Sequence, residues 1–172
     1  MEYSAAALLK QAKEGNASAF GALYAQYAEE AYRYACAILK DTHAAEDAVQ
    51  ESCVKVYQNI LNIRNSDAFK AYFFKTLSNT AKTMLRRGTF CTVGTALPET
   101  RPAPENTAQT AEMRTDLAAA LERLSEEERQ IVLLSAVAGL RSKEIADTVG
   151  LTAGAVRSKL SRSLQKLRTY LA

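Results

Sequence analysis

Five cations crowd the C-terminal end of this 172-residue chain. Arg157, Lys159, Arg162, Lys166 and Arg168 fall between residues 148 and 172, where no acidic residue occurs. Ser158 and Ser161 sit among them as short hydrogen-bonding groups. This set suits a polyanion: cations displace counterions from phosphates, and arginine also pairs bidentately with guanine edges. The element that must carry it is a helix, since Val156, Leu160, Leu164 and Leu167 repeat at helical spacing behind Thr152, a good N-cap. A shorter helix precedes it, with Ile145, Ala146 and Val149 as its apolar stripe. Gly150 supplies the left-handed residue that ends this first helix, Leu151 fills the corner, and the small Ala146 permits close approach. That is the pattern of a helix-turn-helix, whose second helix enters the DNA major groove. Thr152, Arg157, Ser158, Lys159, Ser161, Arg162 and Lys166 are the expected duplex contacts. A helical hairpin with a merely solvated basic face is the competing reading. The coincidence of turn glycine, cap, small residue and apolar spacing favours DNA.

A second basic stretch lies upstream. Lys70, Lys75, Lys82, Arg86 and Arg87 fall between residues 68 and 98, again without an acidic residue. The formal net charge is only +3, so the distribution of charge carries the argument rather than its sum. Catalysis and metal binding find little support. There is one histidine, His43, and the three cysteines, Cys36, Cys53 and Cys91, are odd in number and far apart. Small buried hydrophobes describe Cys36 and Cys53 better than a disulfide or metal ligands. No cofactor is implied. The N-terminus lacks the basic start and long apolar run of a signal peptide, and residues 131–140 are too few to cross a membrane. A cytoplasmic protein without membrane insertion is expected.

The apolar content of 48%, with 3 prolines and 7 glycines, predicts an all-α fold. Residues 3–13 read as a short helix and 18–40 as one long helix. A third helix is expected over 43–61, with Glu46, Asp47, Gln50, Glu51 and Lys55 on its outer face. Residues 62–66 form a polar loop, and Ser66 can cap a helix over 67–87 with Phe69, Phe73, Leu77 and Met84 inward. From 88 the character changes: Pro98, Pro102 and Pro104 occur without sustained periodicity, as in a flexible linker. Helices are expected again over 113–124 and 126–138, the latter opened by the capping-box sequence Ser125-Glu-Glu-Glu128. The expected organisation is an N-terminal helical domain (1–88), a linker (89–111) and a C-terminal helix-turn-helix domain (112–172).

In this order the pieces resemble a bacterial RNA polymerase sigma factor of the extracytoplasmic-function (ECF) class. Three blocks carry the resemblance: residues 45–51 (Ala-Glu-Asp-Ala-Val-Gln-Glu); residues 69–75 (Phe-Lys-Ala-Tyr-Phe-Phe-Lys) with Asn79 and Arg86-Arg87; and residues 124–134 running into Gly139-Leu140 and Glu144-Ile145-Ala146. The resemblance implies that Glu46, Asp47, Gln50, Glu51 and Lys55 dock on core RNA polymerase. It implies that Asn62, Arg64, Asn65, Tyr72, Phe74, Lys75, Asn79, Lys82, Arg86 and Arg87 handle the opened −10 strand of promoter DNA, where aromatics stack on bases and cations follow the backbone. The helix-turn-helix would read the −35 duplex, and an anti-sigma factor is an implied partner. The rival reading is a stand-alone helix-turn-helix regulator with an N-terminal sensor or dimerisation domain.

Overall fold

The computed structural model describes residues 3–88 and 108–172. These residues form helices and turns, with no strand among them. Helices α1 (Ala5–Lys13), α2 (Ala17–Ala25), α3 (Ala28–Leu39), α4 (Thr42–Gln58) and α5 (Ser66–Arg87) make the first domain. A 3₁₀ turn, Ile60–Asn62, links α4 to α5. Helices α6 (Ala108–Glu122), α7 (Glu126–Ala136), α8 (Ser142–Val149) and α9 (Ala153–Leu171) make the second.

Short polar side chains start most of these helices. Ser4, Asn16, Asp41, Asn65, Ser125 and Thr152 each accept a hydrogen bond from a first-turn backbone N–H. At α7 the capping box is complete: Ser125 Oγ accepts from the Glu128 N–H, and Glu128 Oε2 accepts from the Ser125 N–H. Asn65, rather than Ser66, caps α5, because its extended backbone aims Oδ1 at the Ala68 N–H, 2.8 Å away. The long helix expected over 18–40 is two helices, α2 and α3, broken at Gln26 and Tyr27. The apolar face runs on through the break, so periodicity alone gave no sign of it. Helix α6 starts at Ala108, inside the stretch expected as linker; the remainder of that stretch and Cys91 lie outside the described residues.

The first core is aromatic. Phe69, Phe73 and Phe74 of α5 are completely buried against Phe20, Tyr24 and Tyr34. Several ring pairs meet edge to face, the arrangement the aromatic quadrupole favours. The second core joins Leu121 and Leu124 of the α6 end to Ile131 and Leu134 of α7, Ile145 of α8, and Val156 and Leu167 of α9. Each such side chain contributes about 1.5–3 kcal/mol on burial. Arg129 ties α6 to α7 by donating to the carbonyls of Leu121, Glu122 and Leu124. Carbonyls at a helix C-terminus have few intrahelical partners, and Arg129 supplies donors to them.

The two domains meet where α3 faces α7 and α5 faces α8. A buried polar contact marks the junction: the Tyr34 hydroxyl bonds Ser78 at 2.8 Å and also meets Gln130 of α7. Burial pushes the Tyr34 phenol up to about 12, with these two partners partly offsetting it. Lys40 and Glu122 close the edge with an ion pair of 2.8 Å.

Candidate nucleic-acid interface

Helix α8 ends at Gly150, whose φ of 75° is the left-handed conformation the turn requires. The chain turns at Leu151, and the Thr152 hydroxyl accepts from the Ala155 N–H at 3.1 Å to start α9. Glu144 steadies the start of α8 by accepting from the Arg141 N–H at 2.8 Å. The helix-turn-helix is therefore formed as the residue types predicted.

Helix α9 buries Val156, Ser163 and Leu167. Leu164, expected inward, is 38% exposed, and Ser163 takes the core position instead. Ser163 tolerates burial because its hydroxyl donates to the Lys159 carbonyl at 2.7 Å. This roll of the helix presents Thr152, Arg157, Ser158, Ser161 and Arg162 to solvent, together with Gln165. Gln165 was missed from the sequence, yet it lies three and four residues beyond Arg162 and Ser161 on the same face. Lys159 and Lys166 point elsewhere: Lys159 pairs with Glu127, and Lys166 with Glu128 at 2.6 Å. Arg157 and Arg162 make no ion pair among the described residues.

The basic set on α5 divides in three. Phe74 is fully buried and belongs to the core, so it is removed from the strand-contacting set. Lys75, Asn79, Arg86 and Arg87 are exposed, as are Asn62, Arg64 and Asn65 in the preceding turn, while Tyr72 is half-buried. Lys82 and Arg86 line a cleft of about 520 Å³ between the domains, opposite Glu126 and Glu127 of α7. Asn65 also spends its side-chain oxygen on capping α5, which leaves its amide NH₂ for other partners.

Glu46, Asp47, Gln50, Glu51 and Lys55 are all exposed on α4. Glu51 and Lys55 pair at 2.7 Å, and Lys55 also donates to Thr80. Val54 of α4 is 57% exposed, and Leu61, in the 3₁₀ turn that follows, is 74% exposed. A helix face that mixes carboxylates, an amide and exposed aliphatics has the makings of a protein interface. Among the described residues no cluster of histidine, cysteine or acidic side chains is placed to hold a metal ion, and no helix is long and apolar enough to cross a membrane. Cys36 and Cys53 are covered thiols pushed up to about 11 by burial.

The fold and these surfaces define a two-domain helical protein whose helix-turn-helix carries an exposed basic face. Comparison with known proteins is more particular. Residues 23–90 match the family model for sigma-70 region 2, and residues 114–167 match that for sigma-70 region 4. The ECF RNA polymerase sigma factor SigE of Mycolicibacterium smegmatis is 34% identical over 157 residues, 87% of this chain. The chain covers 60% of that relative's length. RNA polymerase sigma factor SigV of Bacillus subtilis is 30% identical over 83% of this chain and 85% of its own. The structure of CnrH in complex with the cytosolic domain of CnrY superposes with a TM-score of 0.73 at 24% identity, over 98% of this chain and 97% of that one. The sigma factor RpoE of Bartonella quintana, in complex with the anti-sigma factor NepR, gives 0.66 at 21% identity, over 83% and 91%. The chain belongs to the ECF class of sigma-70 factors.

Proposed function

We propose that this chain binds core RNA polymerase, directs it to specific promoters and helps open the DNA there. It acts by binding rather than by catalysis of its own, in the cytoplasm where the polymerase works. The observation that carries the reading is the pairing, in one chain and in family order, of a region 2 match bearing an exposed acidic α4 face with a region 4 match bearing an exposed basic α9 face.

On this reading Glu46, Asp47, Gln50, Glu51 and Lys55 meet the polymerase, with Val54 and Leu61 adding apolar contact. Thr152, Arg157, Ser158, Ser161 and Arg162 read the −35 duplex, with Gln165 extending the same edge. The −10 strand falls to Asn62, Arg64, Asn65, Tyr72, Lys75, Asn79, Lys82, Arg86 and Arg87. Lys82 and Arg86 face the second domain across the cleft, so strand capture requires the domains to part. An inhibitor of the anti-sigma kind suits this arrangement, since holding the domains together would keep the Lys82 side of α5 turned to α7. The sigma factor RpoE, solved with the anti-sigma factor NepR, supports that partner.

The test is co-elution of the chain with core polymerase lacking its own sigma, for wild type and Asp47→Arg. A one-to-one complex that weakens on substitution supports the reading. Duplex binding without polymerase binding supports the stand-alone regulator.

A further inference from the structure

Helix α9 carries Arg157, Lys159, Arg162, Lys166 and Arg168 and no acidic residue, so all five cations could serve DNA phosphates. The structure withholds two of them. Lys159 and Lys166 lie seven residues apart, two turns on one side of the helix, and neighbouring carboxylates of α7 hold them. The Glu128 carboxylate is fixed from both ends: Oε2 accepts from the Ser125 N–H at 3.0 Å and Oε1 from Lys166 Nζ at 2.6 Å. Its side chain is only 19% exposed, which limits screening of the pair by water. Glu127 holds Lys159 two turns nearer the reading end. Arg157 and Arg162 stay unpaired among the described residues, on the face the turn presents.

We propose that Glu127 and Glu128 are specificity-determining residues, which keep Lys159 and Lys166 off the phosphates so that α9 binds chiefly where its exposed groups fit the base edges. The inference rests on α9 being the duplex-reading helix. Its logic is counterion release. Each phosphate neutralised by a cation steepens the fall of log K with log salt by about 0.9, and this term is blind to sequence. Two lysines free to join would tighten binding to every duplex alike and dilute the discrimination supplied by arginine and the neighbouring hydroxyls. The carboxylates lower total affinity and raise the ratio of specific to non-specific binding.

The experiment uses the full chain on two duplexes, one selected by the wild type from a random pool and one scrambled, across a salt series. Glu127→Gln with Glu128→Gln is the test variant. Glutamine at 128 still accepts from the Ser125 N–H, so the cap of α7 survives. The expected result is a slope on scrambled DNA steeper by about 1–2, with tighter scrambled binding and a specificity ratio several-fold lower. Lys159→Gln with Lys166→Gln in the wild-type background should leave the slope nearly unchanged, and in the test variant should return it to the wild-type value. Neutralising Glu112 and Asp116 on α6 removes the same net charge and should leave the slope as it is.

The proposal is overturned if the lysine substitutions flatten the wild-type slope by about 2, because the lysines would then already be on phosphates. It is overturned equally if the α6 control steepens the slope as much as the α7 variant. A wild-type chain that selects no sequence and binds no duplex would bring down the reading of α9 itself, and this inference with it.

Discussion

The two basic helices present their charges in opposite ways. Helix α9 turns Arg157, Ser158, Ser161 and Arg162 to open solvent and ties its side-facing lysines to α7 of its own domain. Helix α5 ties Lys70 to Glu30 at 3.2 Å and sets Lys82 and Arg86 along a cleft faced by the other domain's Glu126 and Glu127. One surface is ready to meet duplex DNA as it stands. The other is exposed at Lys75, Asn79 and Arg87, while its Lys82 side faces the second domain across the cleft. The difference follows from their tasks as proposed: a duplex groove is an ever-present target, whereas an unpaired strand exists only after opening has begun.

The largest effect expected on this comparison is at α5, where neighbours in sequence have different tasks. Phe74→Ala should cost about 3–5 kcal/mol of stability in urea unfolding, as a core aromatic does. Tyr72→Ala should cost about 1 kcal/mol or less in stability and instead weaken capture of a −10 single strand by polymerase carrying this chain, by about 1–3 kcal/mol if a base stacks there. Equal stability losses would place Tyr72 in the core beside Phe74. Next comes Arg157→Ala on α9, which should lower binding to a selected duplex by about 1–3 kcal/mol and leave scrambled duplex nearly unaffected. Uniform loss on both would make Arg157 a phosphate contact.

Smaller still is the edge between the domains. Lys40→Glu replaces an attraction to Glu122 by a repulsion, and water and salt keep the effect of exposed pairs of this sort small. Small-angle scattering should record a modest shift toward more extended chains, with strand affinity rising up to a few-fold. An unchanged scattering profile would mean that the Tyr34–Gln130 contact and the surrounding packing hold the closed form without the ion pair. The smallest effect concerns acid. Lys166 and the Ser125 backbone hold the Glu128 carboxyl below its ordinary value. A depressed carboxyl contributes stability above its unfolded-state value and loses it as pH falls through the folded one. Wild type should therefore lose slightly more stability than Glu128→Gln when acidified through the carboxylate range, as thermal melts would read. Parallel melts would remove that pair from the account.

Much of this was legible in the sequence. Gly150, Thr152 and Ser125 set turns and caps by local chemistry, and the helix-turn-helix and α7 follow from them. What escaped depended on contacts remote in sequence. Phe74 is buried because α3 brings Tyr34 onto its ring, 40 residues away in the chain. Lys159 and Lys166 pair with Glu127 and Glu128, which lie 32 and 38 residues upstream, where no helical spacing reveals them. Ser163 displaced Leu164 from the core because helical periodicity allows a step of three or four, and the bond to the Lys159 carbonyl decides which. The exposure of Val54 and Leu61 breaks the rule that apolar side chains turn inward, so no periodicity reveals it.

The central claim is that this chain confers promoter choice on core RNA polymerase. The most direct measurement is run-off transcription by purified core polymerase with and without the chain, on a pool of genomic promoter fragments. Discrete transcripts should appear with the chain and vanish with Arg157→Ala or Asp47→Arg. Transcription that is unchanged by the chain, while it binds duplex DNA in a stable dimer, would contradict it.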